Sequence, residues 1–337
     1  MPDAPPTLSV VIPVYNGEET IGACLNALFA STFGDFEALV VDDASTDGTT
    51  GVVNTFPCKL LPGAANSGPA AVRNLGAAHT SGRILFFLDA DVVVAPETLS
   101  QIVAAFDSRP EISALFGSYH PDCVPNDFVS RYKNLLHHFT HQNSREDATT
   151  FCGGFGAIRR DAFFAVGGFD PGRRFLEDVE MGHRLSQAGH RIWLNKRLMF
   201  YHCKRYTLLG LIRSDVVGRA IPWTRLIMAT RMARNDLNTK THNVLSVPLS
   251  FALLATLPAF VMRWGALACA GLFAMLVGLN FGFLRFVRHE RGVWFACCAA
   301  LMCWLGYLYS GVGLLLGVLG HLRDKMRRHG IGSERTT

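Results

Sequence analysis

Three long apolar runs crowd the last 94 residues of this 337-residue chain, at 244–262, 264–284 and 293–320. A helix needs about 20 apolar residues to cross the hydrocarbon core of a bilayer. Three runs of about that length or more within one short stretch exceed what a buried soluble core uses, so this part is expected to lie in or across a membrane as helices. The second and third runs read as spans. The first contains Pro248 and Pro258, and only Arg263 separates it from the second, so a re-entrant or interfacial segment is the alternative there.

Charge divides the chain at the same place. Residues 244–337 carry 9 Lys/Arg and 3 Asp/Glu, whereas residues 1–243 carry 23 and 24. With three spans, the loop holding Arg285, Arg288 and Arg291 lies inside, as the positive-inside rule prefers, and the basic stretch of Arg323, Lys325, Arg327 and Arg328 lies outside. With two spans the assignments swap; three spans is the reading adopted. The near-neutral first part has no excess of cations to neutralise phosphates, which argues against nucleic acid as a partner. Nine scattered cysteines form no CxxC pair and point to a reducing compartment. The segment 1–6 has neither a basic nor an apolar signal region, so the first part is expected to stay in the cytoplasm.

Within that first part, short apolar runs at 8–12, 36–41 and 83–88 read as strands, the first ended by Pro13. Helices are expected at 18–30 with Asn16 as an upstream start signal, at 70–79 after the Gly68-Pro69 turn, and after Pro96. Strands alternating with helices imply βαβ units, an α/β fold with a mainly parallel sheet. Polar residues follow the strands directly, where open α/β sheets bind ligands. Neither GxGxxG nor GxxxxGK[ST] is present, which excludes the common dinucleotide turn and the P-loop.

Three acidic motifs carry candidate chemistry. Asp89-Ala90-Asp91 places two carboxylates at one strand end, where they can bracket Mg²⁺ or Mn²⁺; a solvated turn is the bland alternative. In the stretch 42–49, Asp47 suits capping of the next helix and Asp43 suits contact with a nucleobase or ribose. Glu177-Asp178 follows the glycine-rich stretches 152–156 and 167–170 and opens a helical run, a position that the helix dipole alone favours for acids.

Taken together, the motifs at 11–16, 41–49, 66–76, 88–91 and 176–178 resemble, in order and spacing, glycosyltransferase family 2, inverting enzymes of GT-A fold. The resemblance covers about residues 7–205. It implies that Pro13, Tyr15, Asp43 and Arg73 hold the nucleotide of a nucleotide-diphospho-sugar, that Asp89 lies near the ribose, and that Asp91 is a metal ligand. It also implies that Asp178 is the catalytic base, with Glu177 positioning, and that Gly153, Gly154 and Phe155 lie on the acceptor side. A histidine near His202 reaches the metal or diphosphate in some relatives; a satisfied buried histidine is the alternative. His137, His138 and His141 read as a polar helix face rather than a metal site. Residues 218–223 have no Gln at the spacing of the QxxRW motif, which argues against processive polymer synthesis. Glu177-Asp178 favours a hydroxyl acceptor over a polyprenyl phosphate.

The expected organisation is a cytoplasmic GT-A domain at 1–206 and basic interfacial helices and linker at 207–243. Transmembrane helices at 244–322 and a basic tail at 323–337 follow. Arg213, Arg219, Arg225, Arg231 and Arg234 are placed to meet anionic lipids, with Pro222 interrupting any single helix. The implied protein sits in the inner (cytoplasmic) membrane and moves sugar to a lipid-linked or cell-surface glycan. The alternatives are a polyprenyl-phosphate glycosyltransferase and a catalytically silent membrane scaffold.

Overall fold

The computed structural model describes residues 5–230 and 240–333, with side chains to 326. Arg231, Arg234, most of the linker and the end of the basic tail, including Arg327 and Arg328, lie outside the described residues or side chains. The chain forms two compact units, Met1–Arg205 and Tyr206–Thr337.

The first unit runs β1 (Leu8–Val14), α1 (Ile21–Phe29), β2 (Phe36–Asp42), α2 (Thr49–Val53), β3 (Lys59–Pro62), α3 (Pro69–Ala78), β4 (Ile84–Leu88) and β5 (Val92–Val93). It continues through α4 (Thr98–Ser108), β6 (Ile112–Tyr119), α5 (Phe128–Gln142), β7 (Asp147–Ala148), β8 (Phe155–Arg159), α6 (Arg160–Ala165), α7 (Glu177–Gln187) and β9 (Arg191–His202). The sheet order is β3-β2-β1-β4-β8-β6-β9-β5, with β7 beside β9. β3, β2, β1 and β4 are parallel. β8 runs antiparallel to both β4 and β6, and β6 pairs parallel with β9. The sheet is therefore mixed rather than mainly parallel; its parallel half joins the three strands expected from the sequence, β1, β2 and β4, to β3, which was not expected.

Alternation along the strands sends side chains to two cores, as a period of two requires. Val10, Ile12, Phe86 and Leu88 pack with Leu25 of α1 and Ile102 of α4. Val11, Val41, Leu85 and Phe87 pack on the other face with Val72 of α3, Phe163 of α6 and Met181 of α7. Helices on both faces bury the sheet and leave its strand ends as the exposed edge.

Three local expectations change. β1 does not stop at Pro13 but continues to Val14, because β1 pairs with β4 only as far as Val11. Beyond that point Pro13 has only β2 beside it, so its missing N–H breaks no ladder on the β4 side. α1 begins at Ile21, not Glu18. Asn16 does not cap it; it adopts a left-handed conformation (φ 51°), and its Oδ1 accepts from the Thr46 N–H at 2.8 Å.

In the second unit, α8 (Leu208–Asp215) passes through a π-helical turn, Val216–Ala220, into α9 (Ile221–Thr230). The wider turn lets the chain absorb Pro222, which lacks an N–H to donate, without ending the helical path. α10 (Thr241–Thr256) continues as a 3₁₀ turn, Leu257–Val261, and is followed by α11 (Arg263–Leu279) and α12 (Phe281–Ser333), which is broken at Gly292 (φ 86°). The second apolar run is not one helix. Asn280 ends α11, donating from Nδ2 to the Leu276 carbonyl at 2.9 Å and to Ser246 Oγ at 3.3 Å, while Tyr307 donates to its Oδ1 at 2.6 Å. An apolar helix that must satisfy this buried amide is interrupted there. Thr241–Val261 and Phe281–Met326 are long and apolar enough to cross a membrane; α11 has 17 residues.

Candidate active site

The acids of the first unit converge on the carboxyl ends of β2 and β4 and the start of α7. Arg73, on α3, joins them. Its Nη2 donates to Asp89 Oδ1 and its Nη1 to Glu177 Oε1, both at 2.7 Å. The guanidinium is 5% exposed, Glu177 9% and Asp89 39%. Burial opposes the charge on Arg73, but Asp89 and Glu177 hold it firmly protonated. Burial and then the neighbouring Asp178 push the Glu177 carboxyl up to about 7, against the pull of Arg73.

Asp178 is the second residue of α7. Its Oδ2 accepts from the Gly153 N–H at 3.0 Å and its Oδ1 from the Val179 N–H at 2.8 Å. The chain enters α7 through Leu176 in the left-handed region (φ 57°), which places Glu177 and Asp178 side by side at the helix start. At Gly154 a Cβ would come within 2.6 Å of Asp89 Oδ2, so a side chain there would displace that carboxylate. Phe155 points elsewhere. It is fully buried, edge-on to Phe86 and stacked on Phe200, so the core rather than the cleft holds its ring.

Asp43 is buried and engaged. Its Oδ1 accepts from the Ser67 N–H at 2.7 Å and from Ser67 Oγ at 3.0 Å, and its Oδ2 accepts from the Gly68 N–H at 2.9 Å. It therefore fixes the turn that starts α3. Tyr15, just beyond β1, is half exposed, and Pro13 is partly buried on that strand. Asp47 is not the N-cap of α2, which is Gly48; its Oδ1 accepts from the Thr49 N–H at 3.1 Å.

Two residues beyond Asp89, Asp91 Oδ1 is buried with no hydrogen-bond partner among the described residues, and Oδ2 lies 3.7 Å from His202 Nε2. Burial raises the Asp91 carboxyl, with His202 acting in the opposite direction. An orphaned buried carboxylate oxygen beside an imidazole fits a hard divalent cation. Among the described residues no group of three or more His, Cys, Asp or Glu is arranged to hold an ion. Such an ion would therefore take its remaining ligands from water and phosphate, the usual habit of Mg²⁺. His137, His138 and His141 serve packing: His137 stacks on Tyr119, and the other two bond the Tyr119 and Gly117 carbonyls.

Two participants escaped the sequence reading. Ser67 has no motif of its own, although the adjacent Gly68-Pro69 turn marks the place. Arg174 lies just before α7 in a stretch that carries no motif.

The mixed sheet with acids at its carboxyl edge has the GT-A architecture. It matches a mannosyltransferase from Pyrobaculum calidifontis, solved in complex with GDP-Man and Mn²⁺, with a TM-score of 0.59 and 18% identity over 96% of this chain and 89% of that one. Residues 9–167, just under half of the chain, match the model of Glycosyl transferase family 2; the chain is a glycosyltransferase. An uncharacterized glycosyltransferase of Haemophilus influenzae is 27% identical over 241 residues, 68% of this chain and 81% of that one. A UDP-Glc:alpha-D-GlcNAc-diphosphoundecaprenol beta-1,3-glucosyltransferase of Escherichia coli is 33% identical over 115 residues, 33% of this chain and 45% of that one.

Proposed function

We propose that the protein is a membrane-anchored inverting glycosyltransferase that moves a sugar from a nucleotide-diphospho-sugar to a hydroxyl of a lipid-linked or cell-surface glycan. The observation that carries this reading is the linkage Asp178–Gly153 beside Glu177–Arg73–Asp89, which ties the start of α7 to the end of β4 through buried, charge-assisted bonds. It holds a free-edged carboxylate at a fixed place relative to the donor side of the cleft.

In this reading Asp178 takes the proton of the acceptor hydroxyl as that oxygen attacks the anomeric carbon from the side opposite the leaving diphosphate. Each Asp178 oxygen accepts one main-chain N–H and keeps lone-pair capacity for the acceptor. Glu177 and Arg73 position that base rather than touch the sugar. Tyr15 and the turn fixed by Asp43 receive the nucleotide, and Asp89 lies toward the ribose. Asp91, with His202 and Asp89, would hold Mg²⁺ or Mn²⁺, which when bound offsets the charge of the leaving diphosphate. The metal in the Pyrobaculum complex supports this reading.

The diphosphoundecaprenol-linked acceptor named for the Escherichia coli relative supports a lipid-linked acceptor here. The apolar helices of the second unit support anchoring in the cytoplasmic membrane, with the glycosyltransferase unit in the cytoplasm and α8–α9 near the lipid headgroups. The test is a panel of nucleotide sugars with lipid-linked saccharides, Mn²⁺ or Mg²⁺ and the detergent-solubilised full chain. Saccharide extension with inverted anomeric configuration is expected. A sugar phosphodiester, or retention of configuration, would contradict it.

A further inference from the structure

We infer that Arg174 reads the nucleobase of the donor, selecting bases with a carbonyl at pyrimidine position 4 or purine position 6 over those with an amine there. The inference rests on the nucleotide-sugar reading above and adds a residue and a base class to it.

The two charged groups first expected to hold the nucleotide are already committed. Arg73 spends its Nη1 and Nη2 on Glu177 and Asp89, and Asp43 accepts three hydrogen bonds from Ser67 and Gly68. Arg174 differs from both. It is exposed, forms no ion pair among the described residues, and makes one long hydrogen bond, from Nη2 to the Asn66 carbonyl at 3.4 Å. Its stem lies against Gly68, where a Cβ would sit 3.8 Å from Arg174 Cγ. Arg174 therefore reaches from the segment before α7 across to the turn that Asp43 fixes. The planar fork rests at the nucleotide edge of the cleft with most of its five donors uncommitted.

A guanidinium has donors and no acceptor. Uracil presents O4 where cytosine presents a 4-amine, and guanine presents O6 where adenine presents a 6-amine. A donor fork bonds the carbonyl of each pair and meets the amine donor to donor. Leu176, in its left-handed turn, separates Arg174 from Glu177 by only two residues, so a base engaged by Arg174 also steadies the start of α7.

The test measures dissociation constants of UDP, CDP, GDP, ADP and inorganic diphosphate, with Mn²⁺, on the full chain in detergent, for wild type and Arg174→Ala. Wild type should bind UDP over CDP, or GDP over ADP, by about tenfold, the worth of one good hydrogen bond. In Arg174→Ala that ratio should fall to within about twofold, with inorganic diphosphate unchanged. An unchanged ratio in the variant, a wild-type preference for CDP over UDP or ADP over GDP, or an equal loss for every ligand including inorganic diphosphate would overturn the assignment. Wild-type protein that binds none of the four nucleotides would overturn the nucleotide-sugar reading as well.

Discussion

Replacing Arg73 by Met removes the one guanidinium that joins α3 to both β4 and α7, at nearly constant length. Its two bonds differ in weight. Asp89 is 39% exposed, and water can replace its partner, so that bond contributes under about 1 kcal/mol. Glu177 is 9% exposed, and stranding its charge costs about 3–5 kcal/mol. For a unit of this size the melting temperature should drop by roughly 6–20 °C at pH 8. The loss should depend on pH, with a definite sign. Glu177 is already pushed up to about 7, so its ionisation weakens the fold as pH rises from about 4.5 toward 7, and losing Arg73 moves it higher still. Near pH 5 the carboxyl is neutral in the folded variant and wild type alike, and the difference between them should shrink. Scanning fluorimetry of the full chain at pH 5, 6.5 and 8 reads this directly. A shift below about 2 °C at pH 8, or an equal shift at every pH, would refute the account of Arg73 as a buried bridge.

Other expectations follow from the same geometry. Glu37 accepts from the Ser81 N–H and from the Ser9 and Ser81 hydroxyls, tying β2 to β1 and to the turn before β4. Burial would raise its carboxyl, but these bonds and Lys59 hold it below the ordinary value. Its stabilisation is thus full above about pH 4.5 and lost as pH falls through the lowered value, and Glu37→Gln should cost about 1–2 kcal/mol near neutrality in a pH series of melts, and less in acid. Gly154→Ala should displace Asp89 and cut sugar transfer at least about tenfold while leaving the melting temperature nearly unchanged. Asp91→Asn should raise the Mn²⁺ concentration for half-maximal transfer about tenfold or more, measured by titration into chelated enzyme.

Most of the parallel half was legible because β1, β2 and β4 are largely apolar runs that stop at acids or turns, whereas the short, half-exposed β3 gave no such signal. The rest was harder for physical reasons. β9 carries the polar stretch Asn195-Lys196-Arg197 between apolar residues and pairs with three other strands, so its pattern matches no single face. β5 and β7 are two-residue pairings that only tertiary contact defines. In the site, sequence order identified the acids but not their commitments. Nothing in the spacing indicates that Arg73 is buried between two carboxylates, or that Asp43 faces inward to Ser67 and Gly68. Phe155 follows two glycines that line the cleft, yet strand alternation turns it into the core. In the second unit hydropathy located the apolar runs, while the break at Asn280 depends on one buried amide finding Ser246 and Tyr307.

The most direct test of the mechanism compares wild type with Asp178→Asn in two assays on the same detergent-solubilised chain: nucleotide-sugar binding and sugar transfer. A positioned base contributes about 10²–10⁴-fold. Binding should stay within about twofold while transfer falls by that factor, the signature of an interaction made only in the transition state. Full transfer by Asp178→Asn would contradict the base assignment and turn attention to an acceptor, such as a phosphate, that needs no deprotonation.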